Sequence, residues 1–239
     1  MSDRPLIGIL LDYEAEGSFS KRPHYALRTA YFDAVWKAGG MPVGLPYLDA
    51  ARSDYLDAVA GLIVPGGFYP FPATLYGRPD DGTPAHPRYA FERTLMADAL
   101  TRDLPTLGIC AGMQVMAAAR GATMWGDIKS ELDCAVDHLN EKPAEQTAHT
   151  VQITPGTRLH QITDTDEIAV NTAHNEALRD IPDSITISAR APDGVIEAIE
   201  LPDRRFALGV QWHPEFFLDD VDPNFKLFTN LVGAAGQST

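Results

Sequence analysis

The sequence is short of cysteine, of positive charge and of long apolar runs, and each shortage closes off a class of function. Two cysteines, Cys110 and Cys134, among 239 residues are too few for a secreted disulfide scaffold. They point instead to a reducing, cytoplasmic setting, which also keeps a reactive thiol usable. Lys and Arg number 19 against 33 Asp and Glu, a net charge of −14. So acidic a chain repels phosphate backbones and anionic headgroups, and neither nucleic acid nor a membrane surface is an expected partner. The first apolar run, residues 6–11, is too short for the core of a signal peptide and far too short for a membrane span. No Gly-x-Gly-x-x-Gly or Walker A segment occurs, so nucleotide binding has no support and no cofactor is expected. Neither a linker nor an internal repeat divides the chain, and 45% hydrophobic residues suffice for one sizeable core. Residues 1–239 are therefore expected to form a single domain.

What is present reads as an α/β protein, with apolar strand-like runs alternating with helical periodicity. Strands are expected at 6–11, 42–45, 61–64 and 105–109, and helices at 25–38, 53–60, 87–102 and 111–120. Gly39-Gly40 and Gly121 serve as helix stops, and Ser53 as a cap. The pattern then changes to short strands at 150–153, 167–170, 185–189, 195–200 and 206–210, separated by turn residues, which suits antiparallel pairing at one edge of the sheet. A helix over 223–232, capped by Asp222, closes the chain. Two stretches fall outside this scheme. Residues 66–87 are crowded with proline and with Phe68, Tyr69, Phe71 and Tyr76, and a connection of that length in a compact domain is usually functional. Residues 126–149 are polar and acidic and read as a short helix plus a loop.

Chemistry concentrates at three points. An apolar strand runs directly into Gly108-Ile109-Cys110-Ala111-Gly112 and a helix, the layout of a nucleophile elbow. A helix beginning at Ala111 favours a thiolate at Cys110 and turns free N–H groups toward any oxyanion formed there. A buried cysteine is also simply a small hydrophobe, and the pentapeptide alone does not decide between the two. His213 and Glu215 follow another strand, separated by Pro214; extended backbone would put both side chains on one side, giving a base and a carboxylate to orient it. Strand ends of parallel α/β sheets gather ligands on one side, which would bring His213 to Cys110. Pro65-Gly66-Gly67 ends a third strand at the same edge, where a glycine N–H is a second oxyanion donor beside that of Ala111. Asp133, Cys134, Asp137 and His138 are ligand types at helical spacing, but without a second cluster they read as a solvated acidic face, and no metal is expected.

Val64-Pro65-Gly66-Gly67, Gly108-Ile109-Cys110-Ala111-Gly112-Met113-Gln114 and Gly209-Val210-Gln211-Trp212-His213-Pro214-Glu215 resemble, in that order, the three signatures of class I glutamine amidotransferases. Ala38-Gly39-Gly40-Met41-Pro42, Val170-Asn171-Thr172-Ala173-His174, and Asp193-Gly194 with Glu197 are similar to the free-standing γ-glutamyl hydrolase branch, peptidase C26, whose best-known type cleaves γ-glutamyl-γ-aminobutyrate in putrescine breakdown. The resemblance implies a flavodoxin-like, mostly parallel sheet flanked by helices, with antiparallel edge strands. It implies Cys110, His213 and Glu215 as catalytic triad, Gly67 and Ala111 as oxyanion hole, and Gln114, Gly66 and His174 beside the substrate, although His174 reads equally as a hydrogen-bonded structural histidine. The implied reaction releases glutamate and an amine from a small γ-glutamyl amine through a thioester. A glutaminase subunit feeding ammonia to a synthase would use the same triad, and a non-catalytic binding protein the same fold. Ala111, Phe68-Tyr69-Pro70 and Glu176 depart from residues frequent in that branch and bear on the amine half of the substrate. A homodimer is the base-rate expectation for assembly.

Overall fold

The computed structural model describes residues 4–132 and 134–237. The elements run β1 Leu6–Leu10, β2 Asp12–Glu14, β3 His24–Ala26, α1 Thr29–Lys37, β4 Met41–Leu45, α2 Arg52–Ala58, β5 Gly61–Val64, α3 Pro87–Thr101, β6 Thr106–Ile109 and α4 Ala111–Ala118. The chain continues through β7 Met124–Trp125, α5 Ile128–Glu131, β8 His149–Ile153, α6 Arg158–Thr163, β9 Glu167–Val170, β10 Ala177–Leu178, β11 Thr186–Arg190, β12 Ile196–Glu200, β13 Ala207–Val210 and α7 Lys226–Gly236.

Among the described residues, nine strands form one sheet in the order β4-β1-β5-β6-β13-β12-β11-β8-β9. The first five are parallel and the last four join antiparallel. Sequence explains the division. Strands β5, β6 and β13 are short runs buried at every residue, as a strand covered on both faces must be. One core cluster lies on the face with α1, α6 and α7, the other on the face with α3 and α4. Helix α7 presents Leu227, Phe228, Leu231, Val232 and Ala235 to the first, each large apolar side chain contributing roughly 1.5–3 kcal/mol by burial. Helix α4 is buried at every position, which its small residues permit.

The structure moves several boundaries. Tyr25 and Ala26 belong to the β2–β3 hairpin, not to the first helix, because Tyr25 packs edge-on against Tyr13 and Tyr47. Helix α2 begins before Ser53, which does not cap it. Asp222 accepts from the Asn224 N–H in a turn that precedes α7, so it shapes the approach to the last helix without capping it. Residues 66–87 hold a single 3₁₀ turn, Ala73–Tyr76, anchored by buried Tyr69 and Phe71, while Phe68 stands out into solvent. No helix among the described residues is long and apolar enough to cross a membrane.

Candidate functional site

Three parallel strands end side by side: β5 delivers Pro65-Gly66-Gly67, β6 delivers Cys110, and β13 delivers Gln211, Trp212 and His213. The register pairs Val64 with Gly108 and Ile109 with Val210, so the three termini are level. Cys110 is the sharp point of the turn into α4, with φ 51° and ψ −107°. An L-residue rarely adopts that conformation, and holding it there costs on the order of 1–3 kcal/mol. The turn is as tight as it is because two glycines let main chains touch. A Cβ on Gly112 would fall 1.9 Å from the Val64 carbonyl oxygen, and one on Gly108 would fall 2.6 Å from the Gly112 carbonyl.

Gly66 shows how close the reactive groups are. A Cβ there would lie 2.5 Å from His213 Cε1 and 3.2 Å from Cys110 Cβ. His213 Nδ1 is 2.8 Å from Glu215 Oε1, and both residues are buried. The geometry behind this contact differs from the extended pairing expected, since Glu215 sits in a 3₁₀ turn, Pro214–Phe216, that folds back to the imidazole. Asn171 fixes the His213 backbone on both sides, accepting from its N–H at 2.8 Å and donating to its carbonyl at 2.9 Å. Burial works against a charged His213, but the Glu215 carboxylate and the Cys110 thiolate outweigh it and raise its pKa to about 10.

Three residues missed from the sequence complete the neighbourhood. Gln211 donates from Nε2 to Cys110 Sγ at 3.5 Å, and Gln114 Nε2 donates in turn to Gln211 Oε1 at 3.2 Å and to the Glu176 carbonyl at 3.3 Å. Gln114 therefore steadies Gln211 against the sulfur. The Tyr31 hydroxyl accepts the Gly66 N–H at 3.0 Å, while burial and the nearby Glu215 carboxylate keep the phenol protonated. Arg88, fully buried, donates from Nη2 to the carbonyls of Pro65 and Gly66 at 3.0 and 3.1 Å and from Nε to Glu92 at 2.7 Å. Its Nη1 lies 2.7 Å from Asp12 Oδ1 as an ion pair off the hydrogen-bond direction. Nothing in the sequence around Arg88 marks it, since an arginine in the first turn of a helix ordinarily faces water.

The expected contacts sort themselves accordingly. With Gly66 satisfied by Tyr31, the Gly67 and Ala111 N–H groups at this edge donate to no other described residue. The His174 side chain is buried, with Nδ1 on the Glu176 carbonyl at 2.9 Å and Nε2 turned to Glu197. A cavity of about 200 Å³ opens on His213 and is lined also by Arg28, Lys142, Asn171 and Phe216.

The family profile of peptidase C26 matches residues 5–215, which includes all three strand-end motifs. The chain belongs to the peptidase C26 family. Membership implies a hydrolase of the glutamine amidotransferase-like kind. Among C26-like relatives, a glutamine amidotransferase-like protein of Rickettsia prowazekii (strain Madrid E) is 30% identical, covering 98% of this chain and 99% of its own. The γ-glutamyl-γ-aminobutyrate hydrolase of Escherichia coli O157:H7 is also 30% identical, over 97% of this chain and 94% of its own. The CTPS glutaminase domain of Trypanosoma brucei, solved with bound acivicin, superposes with a TM-score of 0.64 at 19% identity, covering 98% and 95% of the two chains, a likeness of fold. The flavodoxin-like sheet expected from the sequence is the one observed.

Proposed function

We propose that this C26 protein hydrolyses γ-glutamyl amide bonds through a γ-glutamyl thioester on Cys110. The observation that carries the reading is the approach of Cys110 and His213 to one point beside Gly66, with Glu215 2.8 Å behind the imidazole. In the first half-reaction the Cys110 thiolate attacks the γ-carbonyl, and the tetrahedral oxyanion accepts the Gly67 and Ala111 N–H groups. The C–N bond breaks as His213, held as imidazolium by Glu215 and the thiolate, gives its proton to the departing amine. In the second, neutral His213 takes a proton from water, the hydroxide adds to the thioester carbonyl, and C–S cleavage releases glutamate and restores the thiolate–imidazolium pair. Gln211 supports the sulfur as a neutral donor in both halves.

The amine half meets the cavity at His213. Lys142 there, and Arg28, whose Nη1 is also 3.5 Å from Glu215 Oε1, are cations in an otherwise acidic protein, which suits an amine carrying its own carboxylate, as in γ-glutamyl-γ-aminobutyrate. The hydrolase relative in E. coli supports the same substrate class. The relative in Rickettsia prowazekii, equally similar, supports a second reading in which glutamine is the substrate and ammonia the product. Glutamate release from the purified chain, tested on glutamine, γ-glutamyl-γ-aminobutyrate and uncharged γ-glutamyl amines, separates the two. Preference for the carboxylate-bearing amine without any partner protein supports the hydrolase. Preference for glutamine, with ammonia released, overturns it.

A further inference from the structure

Beside the candidate site, three imidazoles converge on one buried carboxylate that the reaction does not use. His138 Nδ1 lies 3.3 Å from Glu197 Oε1, His174 Nε2 3.4 Å and His149 Nε2 3.8 Å. The His138 ring centroid is 4.8 Å from that of His174 and 5.1 Å from that of His149. The opposite nitrogen of each ring is already committed: His138 Nε2 to Asp193 Oδ2 at 3.0 Å, His149 Nδ1 to the Thr150 carbonyl at 3.0 Å, and His174 Nδ1 to the Glu176 carbonyl at 2.9 Å. All three of those partners are acceptors. In its neutral form each ring therefore donates its one N–H outward and turns a bare lone pair toward Glu197.

A carboxylate is an acceptor too, so acceptors face acceptors across the pocket. The inward nitrogens of His138, His149 and His174 and both Glu197 oxygens make no hydrogen bond to any described residue. Protonating every ring would put several cations into one buried pocket, and the contacts still would not lie along hydrogen-bond directions. A single cation that accepts lone pairs from all four side chains resolves the arrangement.

We infer that His138, His149, His174 and Glu197 are the ligands of a zinc-type divalent ion. Three imidazoles and a carboxylate are a donor set that Zn²⁺ favours, and a tetrahedral site with bonds of roughly 2.0–2.1 Å spaces its ligand atoms roughly 3.3 Å apart. The separations of His138 and His174 from Glu197 are of that size, with His149 at 3.8 Å, and His138, His174 and Glu197 offer ligand atoms all within 4.8 Å of one another. The outward hydrogen bonds, one to a carboxylate and two to carbonyls, are those that orient metal-binding histidines. A cavity of about 420 Å³ reaches His138 and His174 and gives an ion its way in.

The ion would join three separate stretches: the loop carrying His138 and the start of β8, the loop after β9, and β12. The same loops carry Lys142 and Asn171 to the cavity at His213, so its role is to hold that wall to the sheet. The acidic stretch read from the sequence contributes only His138: Asp137 is exposed, Cys134 Sγ donates to the Ile128 carbonyl at 3.5 Å, and Asp133 lies outside the described residues.

The test is metal binding by the full chain, stripped with a chelator and titrated with Zn²⁺ against a chromophoric competitor, alongside Cys110→Ala so that zinc on the reactive thiol is told apart. The expected result is one equivalent per chain in both proteins. At a hundredfold excess over Kd the melting temperature should rise by roughly 5 °C or more, and Co²⁺ in place of zinc should show visible four-coordinate bands. Asp193→Asn, which among the four ligands meets only the outward nitrogen of His138 and also accepts the Val136 and Val195 N–H groups, should weaken affinity by roughly ten- to a hundredfold, and Glu197→Gln should abolish stoichiometric binding. No binding by the wild-type chain, binding that disappears in Cys110→Ala, or unchanged affinity in Asp193→Asn and Glu197→Gln would each overturn the site. If Glu197→Gln does not fold, the wild-type stoichiometry and Asp193→Asn still decide.

Discussion

Arg88 lies so close beneath Gly67 that a Cβ there would fall 1.9 Å from its Nη1. The guanidinium has nowhere to retreat. It is held by the carbonyls of Pro65 and Gly66, by Glu92 and Asp12, and it stacks against Tyr69 with Cζ 4.6 Å from the ring centroid. This buried cation therefore sets the path of the strand end whose Gly67 N–H is assigned to the oxyanion.

Gly67→Ala tests that coupling. The added methyl must push either the guanidinium or the backbone, and the oxyanion donor moves with them. We expect kcat to fall by on the order of a hundredfold or more, as for loss of one oxyanion donor, with a smaller change in KM. Steady-state kinetics beside a thermal melt reads it; a folded variant with near-normal kcat would show that Gly67 does not hold the oxyanion.

The strained turn makes a prediction about stability. Cys110→Gly and Cys110→Ala should both be inactive, but glycine accepts φ 51° without the penalty that alanine keeps. Cys110→Gly should be the more stable of the two by about 1 kcal/mol, after allowing for glycine's greater freedom in the unfolded chain. Urea denaturation compares them, and equal stability would mean the elbow is not strained.

Raised basicity at His213 fixes the alkaline limb. With its pKa near 10, the imidazolium that protonates the leaving amine is present at neutral pH and is lost as pH rises through about 10. kcat/KM should therefore hold through pH 8 to 9 and fall above that. A limb near the ordinary histidine value, around 6.5, would contradict a thiolate–imidazolium pair. Glu215→Gln removes the carboxylate that raises His213 and should move the limb to lower pH.

The parallel core and the three strand-end motifs were legible in the sequence because each is local: a buried strand is an apolar run, and a sharp turn needs its glycines. What was not legible depends on tertiary neighbours. Arg88 and Tyr31 reach the site from helices whose own sequences give no sign of it. Tyr25 has helical spacing but pairs as a strand because Tyr13 and Tyr47 receive its ring. The ligand cluster escaped for a similar reason. His149 comes opposite Val170 only through the β8–β9 pairing, and Glu197 approaches from a different strand, so no spacing rule links them.

Lys142 carries the proposed substrate preference. It lines the cavity at His213 but touches none of the triad. Lys142→Met should raise KM for γ-glutamyl-γ-aminobutyrate by roughly tenfold, the loss of one charge-assisted contact, with kcat little changed. An uncharged γ-glutamyl amine should not notice the change. An equal effect on both substrates would remove Lys142 from the amine site.

Whether Cys110 carries a γ-glutamyl group is tested most directly by intact-protein mass spectrometry after rapid acid quench of the enzyme mixed with γ-glutamyl-γ-aminobutyrate. A transient mass increase of one γ-glutamyl group should appear, map to the peptide containing Cys110 and be absent from Cys110→Ala. Glutamate release at the normal rate by Cys110→Ala would contradict it.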